Sequence, residues 1–402
     1  MTPQLELMKK LSKQTDSKIL FVVIDGLGGH PVKPGGESEL EMATLPHLDS
    51  IARDGVTGLL HPVMPGVTPG SGPAHLALFG YDPLVYDVGR GLLSALGIDF
   101  PLQNGDVAAR VNFATLDAGG MIVDRRAGRI SSETGARLAT LLDGMEIDGV
   151  RVFVRPEREY RAVLVLRGEG LSAELSDTDP QKTGIPPLAV EALEPAAQRA
   201  AEAANAFVER ARERLQGEPQ ANGVLLRGFE AHREFPSMSD VYRLRSAAVA
   251  AYPMYRGVTR LIGMDVLDAG DTLETEMEAV RKNIGRFDFF YFHVKKTDSA
   301  GEDGAPEKKA HELEAFDAVL GRLLELPFDV VVGTGDHSTP STLRAHSWHP
   351  VPVALRAPNC RPDDVDRFTE AACLRGGLGQ IPSTALMPIV LANAGKLEKY
   401  GA

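Results

Sequence analysis

Four short hydrophobic runs stand out along the chain, and each is bounded by charged residues or by Gly and Pro. They cover residues 19–24, 287–294, 329–332 and 351–355. Continuous runs of Val, Ile and Phe at this length predict strands that are buried on both faces, as in parallel sheets covered by helices.

Between the second and third runs, residues 307–326 place their apolar side chains at helical spacing, and Pro327 marks the end of that helix. A strand, a helix and a second strand in succession form a βαβ unit. The predicted fold class is therefore α/β, a sheet domain covered by helices.

The middle of the chain has a different pattern. It breaks into short strand-like pieces, such as residues 107–112, and one long amphipathic helix near 195–216. This predicts a smaller α+β domain, residues 106–245, inserted into a first domain that consists of residues 1–105 and 246–402.

The composition indicates an acidic globular protein. Among 402 residues, 43 Lys and Arg stand against 55 Asp and Glu, so the formal net charge is −12, and 43% of the residues are hydrophobic. An acidic chain does not attract nucleic acid. Its two cysteines, Cys360 and Cys373, provide neither a disulfide framework nor a Cys-based zinc site.

No run approaches the ~18 consecutive apolar residues of a membrane span, and the N-terminus lacks the pattern of a secretory signal. We therefore expect a soluble cytoplasmic protein with no membrane or nucleic-acid partner. The sequence does not predict the oligomeric state.

Side chains that ligate metals follow three of the four runs, and two histidines precede the fourth: Asp25, Asp298, Asp336, His337, His346 and His349. In open α/β sheets ligands bind outside the carboxyl ends of the strands, so these side chains are expected to converge. A single Asp-Gly after a strand is more often a turn, but three acidic strand ends favour a metal site. Asp and His without Cys suit Mn²⁺, Mg²⁺ or Zn²⁺.

Ser71 lies where a short helix is expected to begin, because Pro73 fits its first turn and Gly80 its end. The free N–H groups and the dipole of a helix N-terminus favour negative charge, and together with a metal they can stabilise a serine alkoxide. The alternative is that Ser71 only caps the helix.

Basic residues cluster within the predicted insertion. Arginine binds phosphate and carboxylate groups bidentately, so these residues are candidates for an anion site, although surface ion pairs remain an alternative. The candidates are Arg110, the segment with Asp124, Arg125 and Arg126, and Arg256 at the return to the first domain. The seven other histidines, among them His75 and His293, are expected to be surface or packing residues.

Five motifs occur in order along the chain: Val-Ile-Asp25-Gly, Pro-Gly-Ser71-x-x-Ala-His-Leu, Lys-x-Thr-Asp298-x-Ala-Gly, Thr-Gly-Asp336-His337-Ser-Thr-Pro and His346-x-x-His-Pro-Val-Pro. Together they resemble the cofactor-independent phosphoglycerate mutases of the archaeal type, within the alkaline-phosphatase-like superfamily. The resemblance spans nearly the whole chain and is less clear in the insertion.

The resemblance implies an isomerase that interconverts 3-phosphoglycerate and 2-phosphoglycerate through a phosphoserine on Ser71. It implies two divalent metals, Mn²⁺ or Mg²⁺ first, with Zn²⁺ and Co²⁺ as alternatives. One metal would be held by Asp25, Ser71, Asp336 and His337, and the other by Asp298, Glu302 and His346. The insertion would bind the small-molecule substrate through its arginines and exclude water.

The chain departs from the family at two positions. Glu302 stands where the family usually has His, and Gly72-Pro73 follows the nucleophile where Asp-Thr is common. The same metal motifs also suit a phosphatase or another phosphomutase, because only the inserted domain sets the substrate. A non-catalytic metal-binding protein is a third alternative.

Overall fold

The computed structural model of the chain describes residues 1–31 and 33–401 and divides it into two units. The first unit consists of residues 1–87 together with the chain from Pro236 onward, and the second is Val88–Phe235.

Within the described residues the strands, in chain order, are β1 (Ile19–Ile24), β2 (Val56–His61), β3 (Val107–Leu116), β4 (Ile122–Asp124), β5 (Glu146–Ile147), β6 (Val150–Arg158), β7 (Arg161–Arg167), β8 (Gly223–Ala231), β9 (Ser246–Val249), β10 (Asp265–Val266), β11 (Phe289–Val294), β12 (Val330–Thr334), β13 (Val351–Arg356) and β14 (Gly379–Pro382).

The α-helices of the same residues are α1 (Pro3–Leu11), α2 (Glu39–Met42), α3 (Pro46–Arg53), α4 (Ser71–Leu78), α5 (Arg90–Gly97), α6 (Ser132–Leu142), α7 (Gln198–Arg214), α8 (Met238–Tyr242), α9 (Pro253–Leu261), α10 (Leu273–Asn283), α11 (Lys296–Glu302), α12 (Pro306–Leu323), α13 (Glu370–Cys373) and α14 (Leu386–Asn393). Short 3₁₀ turns occur at Ala127–Arg129, Pro195–Ala197 and Ser383–Ala385.

The first unit is built on one sheet with the strand order β10-β9-β11-β1-β12-β13-β2-β14. Strands β10, β9, β11, β1 and β12 are parallel to one another. Every residue of β1, β11 and β12 is buried, as their hydrophobic runs predict. The α/β fold class is therefore confirmed.

The fourth predicted strand is β13, and its direction differs from the expectation of a parallel sheet. It pairs antiparallel with both β12 and β2. The connection from β12 to β13, residues 335–350, contains no helix. A parallel return needs a crossover, usually a helix, whereas a loop suffices for an antiparallel one.

Helix α12 covers the central strands of this sheet, as the helical spacing of its apolar residues predicts. Leu313, Phe316 and Leu320 are fully buried and belong to the same core cluster as β1 and β11. Burying each such side chain contributes roughly 1.5–3 kcal/mol to the free energy of folding. None of the helices in the described residues is long and apolar enough to cross a membrane.

The second unit contains an antiparallel sheet with the order β4-β3-β7-β6-β5, and β8 also pairs with β3. Helices α6 and α7 pack on this sheet, and Leu138 and Phe207 contribute to its main core. Odd positions of β3, such as Val111, enter that core, so even positions lie on the opposite face. Helix α5 packs against β3, β7 and β8, and its Ala95 clusters with Ala108 on that opposite face.

Both junctions between the units lie earlier in the chain than the expected boundaries at 105/106 and 245/246. Helix α5 precedes the first expected boundary but packs on the sheet of the second unit. Helix α8 packs against α1 of the first unit, so the segment from Pro236 belongs to that unit. Hydrophobic periodicity did not reveal either contact, because both depend on tertiary packing.

Glu276 in the first turn of α10 has a buried carboxyl group with one oxygen that accepts no hydrogen bond among the described residues. It is 4% exposed, its Oε1 has no hydrogen-bond partner among the described residues, and it lines a cavity of 310 Å³. Burial, assisted by the charge of Asp271, raises the pKa of Glu276 to about 8, against a hydrogen bond from the Ala251 backbone.

We expect Glu276→Gln to be more stable than the wild type at pH 8.5 and equally stable below pH 4.5. Between these limits the unfolded state loses the carboxyl proton and the folded state keeps it, so wild-type stability falls as the pH rises. The gap grows by about 1.4 kcal/mol for each unit between the two pKa values. Urea unfolding at pH 4 and pH 8.5 measures it, and an equal difference at both pH values would contradict the assignment.

Candidate functional site

The ligand-type side chains of the first unit lie at the carboxyl ends of three neighbouring strands. Asp25 directly follows β1, and Asp336 and His337 follow β12. Asp298 lies in α11, which begins two residues after β11. Because β11, β1 and β12 are adjacent and parallel, their carboxyl ends share one edge of the sheet.

Two groups of side chains at this edge bring their ligand atoms within 4.8 Å of one another. One group is Asp25, Asp336 and His337, and all three are buried. The other is Asp298, His337 and His346. His337 belongs to both groups, so the two candidate metal positions are neighbours.

Ser71 is the first residue of α4, and its hydroxyl faces this edge. Its Oγ lies 3.3 Å from Nε2 of His337. The cap of α4 is Gly70, and no side chain makes a capping hydrogen bond there. The capping alternative is therefore wrong, and the Ser71 hydroxyl remains available for chemistry.

Lys295 contacts Oδ2 of both Asp25 and Asp298, and Tyr255 contacts Oδ2 of Asp25. The Lys295 ammonium lies 2.9 Å from Oδ2 of Asp25 and 2.6 Å from Oδ2 of Asp298. The Tyr255 hydroxyl donates to the same Asp25 oxygen. Partners of this kind orient a ligating carboxylate and leave its other oxygen available for the metal.

Thr339 orients two further ligand side chains, Asp298 and His337. The Thr339 hydroxyl donates to Oδ1 of Asp298 at 2.8 Å and lies 3.0 Å from Nδ1 of His337. A hydrogen bond at Nδ1 fixes the ring so that Nε2 points to the ligand atoms.

Burial controls the protonation of these groups. It raises the pKa of Asp25 to about 6 against the opposing charge of Lys295, and it raises the pKa of Asp336 well above its ordinary value. For Asp298, burial alone would raise the pKa, but the charge of Lys295, the nearby His337 and hydrogen bonds from Lys295 and Thr339 together lower it to about 2. Burial also lowers the pKa of His337, which favours the neutral imidazole that binds metal.

Two buried carboxylate oxygens of the first group have no hydrogen-bond partner among the described residues. They are Oδ1 of Asp25 and Oδ2 of Asp336, and both residues are 0% exposed. These oxygens lie 3.4 and 3.3 Å from Nε2 of His337. Since buried polar atoms normally have partners, the donor set fits a divalent cation bound by oxygen and imidazole ligands.

Two histidines expected to be packing residues lie against the first group. His75 is fully buried in α4, with Nδ1 2.8 Å from the Ser71 carbonyl oxygen and 3.4 Å from Oδ2 of Asp336. His293 in β11 has Nε2 3.6 Å from Oδ2 of Asp25 and stacks on Tyr255. His75 follows Ser71 by four residues, one helical turn, and that spacing could have indicated its position.

Glu302 and His349 were also candidate ligands, and the structure does not bring either into the two groups. Glu302 is exposed at the end of α11, one helical turn after Asp298. His349 directs Nδ1 to the Ser347 hydroxyl at 3.0 Å and packs near the ring of His30.

An arginine-lined pocket, hereafter the arginine pocket, lies in the second unit and has a volume of 120 Å³. It is lined by Asn112, Tyr160 and six arginines: Arg90, Arg110, Arg125, Arg126, Arg161 and Arg227. Three of these arginines, Arg110, Arg125 and Arg126, are predicted from the sequence. The other three come from α5, β7 and β8, and helix packing together with strand register brings them to the pocket.

Register explains how the arginine pocket forms. Arg110 and Asn112 are even positions of β3 and therefore share one face. Arg110 is the direct cross-strand partner of Arg227. Like charges directly opposite each other destabilise a sheet, and Nε of both side chains is buried without a hydrogen-bond partner among the described residues. Asp177 and Asp179 lie 3.9 and 3.4 Å from Arg227 and offset part of its charge, and a bound anion would compensate the rest together with the charge of Arg110.

The other predicted substrate residues have different surroundings. Arg125 forms a bidentate pair with Asp179, at 2.8 and 2.7 Å. Asp124 accepts the backbone N–H groups of Arg126 and Gly128, so it holds the turn rather than lining the pocket. Arg256 lies in α9 of the first unit, next to Tyr255, and does not line the arginine pocket.

The family profile and the sequence relatives that match this chain carry the same description. The sequence profile described as 2,3-bisphosphoglycerate-independent phosphoglycerate mutase matches residues 52–221. A Thermus thermophilus protein named "probable 2,3-bisphosphoglycerate-independent phosphoglycerate mutase" is 53% identical over 400 residues, 98% of each chain. A Deinococcus radiodurans protein of the same name is 51% identical over 410 residues and covers all of both chains.

Two solved structures superpose on nearly the whole chain. The structure of a Pyrococcus horikoshii protein superposes with a TM-score of 0.82 at 30% identity, over 96% of this chain and 99% of the other. The cofactor-independent phosphoglycerate mutase of Thermoplasma acidophilum superposes with a TM-score of 0.68, also at 30% identity, over 94% of this chain and 100% of that one.

The α/β fold and these relatives define an isomerase of the phosphoglycerate mutase class. The chain belongs to the family of 2,3-bisphosphoglycerate-independent phosphoglycerate mutases. The resemblance found in its motifs is thereby confirmed.

Proposed function

We propose that the chain interconverts 3-phosphoglycerate and 2-phosphoglycerate through a phosphoserine on Ser71, at a site for two divalent cations. The observation that carries this proposal is the position of His337. Its Nε2 lies 3.3 Å from the Ser71 hydroxyl, and the same side chain belongs to both groups of ligand atoms.

Asp25, Asp336 and His337, with Ser71, would hold one cation, and Asp298 and His346 would hold the other. Glu302, exposed one helical turn after Asp298, would join the second cation by turning its side chain inward. This carboxylate-rich donor set favours Mn²⁺ or Mg²⁺ over softer ions.

Bound cations in such a site neutralise the charge on phosphoryl oxygens and stabilise an oxyanion. The chain itself supplies the nucleophile. The Ser71 hydroxyl loses its proton and its oxygen forms a bond to phosphorus, while the bond from phosphorus to the 3-oxygen of glycerate breaks and that oxygen takes up a proton. The 2-hydroxyl then loses its proton and attacks the same phosphorus, the bond from phosphorus to the Ser71 oxygen breaks, and that oxygen takes up a proton.

The N-terminus of α4 supports the nucleophile during both steps. Ser71 is the first residue of that helix, where the dipole and free N–H groups stabilise developing negative charge. His75, one turn later, donates its Nδ1–H to the Ser71 carbonyl and fixes the start of the helix. The hydroxyl is thereby held next to His337 before substrate binds.

The arginine pocket would bind the anionic groups of the substrate. Glycerate must remain bound between the two transfers, since its loss would leave a phosphoserine that water hydrolyses. Arginine side chains bind carboxylate and phosphate groups bidentately. A bound anion would also reduce the repulsion between the like charges of Arg110 and Arg227, which lie opposite each other in the sheet.

We expect Arg227→Met to raise the KM for 3-phosphoglycerate about tenfold to a hundredfold, because a hydrogen bond to a charged group contributes about 1.5–3 kcal/mol. The melting temperature should fall only modestly, because the variant removes the like charge opposite Arg110 but also the ion pairs of Arg227 with Asp177 and Asp179. Steady-state kinetics and thermal unfolding measure the two effects.

Arg158→Met is the matched control, because Arg158 is exposed in β6 of the same sheet and does not line the arginine pocket. It should leave the KM unchanged. An unchanged KM in Arg227→Met would remove this pocket from substrate binding.

The direct test of the proposed function uses purified protein with 3-phosphoglycerate and no bisphosphorylated cofactor, across Mn²⁺, Mg²⁺, Co²⁺ and Zn²⁺. We expect 2-phosphoglycerate to form with Mn²⁺ or Mg²⁺ and to be lost on chelation. Free phosphate without 2-phosphoglycerate would instead identify a phosphatase.

A further inference from the structure

Lys309 in α12 is a buried lysine that the reaction described above does not use. It is 0% exposed, although lysine is almost never fully buried without partners. Its ammonium donates to the carbonyl oxygens of Gly28 at 3.0 Å and Thr339 at 2.9 Å.

These two carbonyl groups belong to the loops that carry the candidate metal ligands. Gly28 lies three residues after Asp25, and Thr339 lies two residues after His337. The loops also contact each other directly, since the Thr339 N–H donates to the Gly28 carbonyl at 3.1 Å. Lys309 therefore donates to both sides of a junction between two ligand-bearing loops.

Two glutamates complete this junction, the buried Glu39 and the half-buried Glu370. Glu39 accepts the N–H of Ser341 at 2.6 Å and that of His30 at 3.2 Å, one from each loop. Glu370 accepts the N–H of Gly29 at 2.7 Å. Each glutamate also attracts the Lys309 charge electrostatically.

The close approach of the loops explains two glycines in the first one. A Cβ at Gly28 would lie 1.9 Å from the Ser338 Oγ, and a Cβ at Gly29 would lie 2.1 Å from Oε2 of Glu39. A side chain at Gly28 would require Ser338 to move, and one at Gly29 would displace the Glu39 carboxylate. The two glycines therefore allow the loop after β1 to pack closely against the loop after β12 and against Glu39.

We propose that Lys309 is a positioning residue: with Glu39 and Glu370 it locks the loop after β1 to the loop after β12. The lock sets the spacing between the carboxylates at the ends of those strands, and hence the affinity for the metal. This inference rests on the proposed metal site and adds a residue that touches neither metal nor substrate.

The route from the lock to the ligands is short and passes through Thr339. The carbonyl of Thr339 accepts from Lys309, and its hydroxyl contacts both Asp298 and His337. A shift of this residue therefore moves ligands of both candidate metal positions. Removing such an outer partner typically costs about 10–100-fold in metal affinity or activity.

The test compares Mn²⁺ binding to metal-free wild type, Lys309→Met and Lys396→Met, measured by electron paramagnetic resonance. Lys396 is the matched control, a lysine 1% exposed whose ammonium donates to the Thr15 carbonyl at 2.8 Å. We expect Lys309→Met to raise the Kd for Mn²⁺ at least about tenfold and to lower kcat more than it changes KM. Lys396→Met should lower only the melting temperature.

Glu39→Gln tests the same lock if Lys309→Met does not fold. The amide keeps one acceptor oxygen and loses the other, so one of the two loop contacts is lost, and the Kd for Mn²⁺ should again rise. Tight Mn²⁺ binding by wild type and equally by the folded lysine or glutamate variant would overturn this inference alone. Absence of Mn²⁺ binding by wild type would overturn the proposed metal site together with it.

Discussion

Ser71→Ala is expected to lower mutase turnover by at least about four orders of magnitude, as loss of a catalytic nucleophile does in other enzymes. No other hydroxyl is proposed to carry the phosphoryl group, and the Ser71 oxygen lies 3.3 Å from Nε2 of His337. Metal binding should persist, because Asp25, Asp336 and His337 remain. Coupled assay of 2-phosphoglycerate and metal analysis of the same sample measure both effects.

Ser50→Ala is the matched control for this variant. The Ser50 hydroxyl donates to the His47 carbonyl within α3 and does not contact the site. Its kinetics should equal those of the wild type. Near-normal turnover in Ser71→Ala would show that the phosphoryl group passes through a different acceptor.

Asp336→Asn is expected to reduce the bound metal from two ions per chain to one and to lower kcat at least about a hundredfold, since a bound cation contributes several kcal/mol to transition-state stabilisation. The amide oxygen can still accept the N–H groups of Gly26 and His337, which Oδ1 of Asp336 now accepts at 3.1 and 3.0 Å. The amide nitrogen replaces the unpartnered Oδ2. The fold should therefore survive while one ligand atom is lost.

Glu302→Ala complements this experiment because it should remove metal only from the Asp298 position. Glu307→Ala is its control, an exposed glutamate in the first turn of α12. Elemental analysis of each purified variant gives the stoichiometry. Two ions in Glu302→Ala would remove Glu302 from the site, and two ions in Asp336→Asn would remove Asp336.

The candidate metal positions were predictable because each ligand is tied to its strand by a few residues of local sequence. Asp25 follows β1 directly, and Asp336 and His337 follow the end of β12. Once the hydrophobic runs indicate parallel strands, the geometry of a parallel sheet brings their carboxyl ends to one edge. The same reasoning required no knowledge of the strand order.

Side chains that depend on register or on distant packing were not predictable in this way. Arg227 becomes an anion-site candidate only through its pairing with Arg110, more than a hundred residues earlier. Lys295 precedes Asp298 by three residues, but its contact with Asp25 arises from strand order. The antiparallel β13 and both unit junctions were missed for the same reason: local periodicity does not encode which element packs on which.

The most direct measurement of the central claim is to find the phosphoryl group on the enzyme. Wild type is mixed for milliseconds with 3-phosphoglycerate that carries radioactive phosphorus, quenched and digested, and its labelled peptide is sequenced by mass spectrometry. We expect label on Ser71 and its transfer to 2-phosphoglycerate when unlabelled substrate is added before quenching. Label on another residue, or turnover with none on the protein, would contradict it.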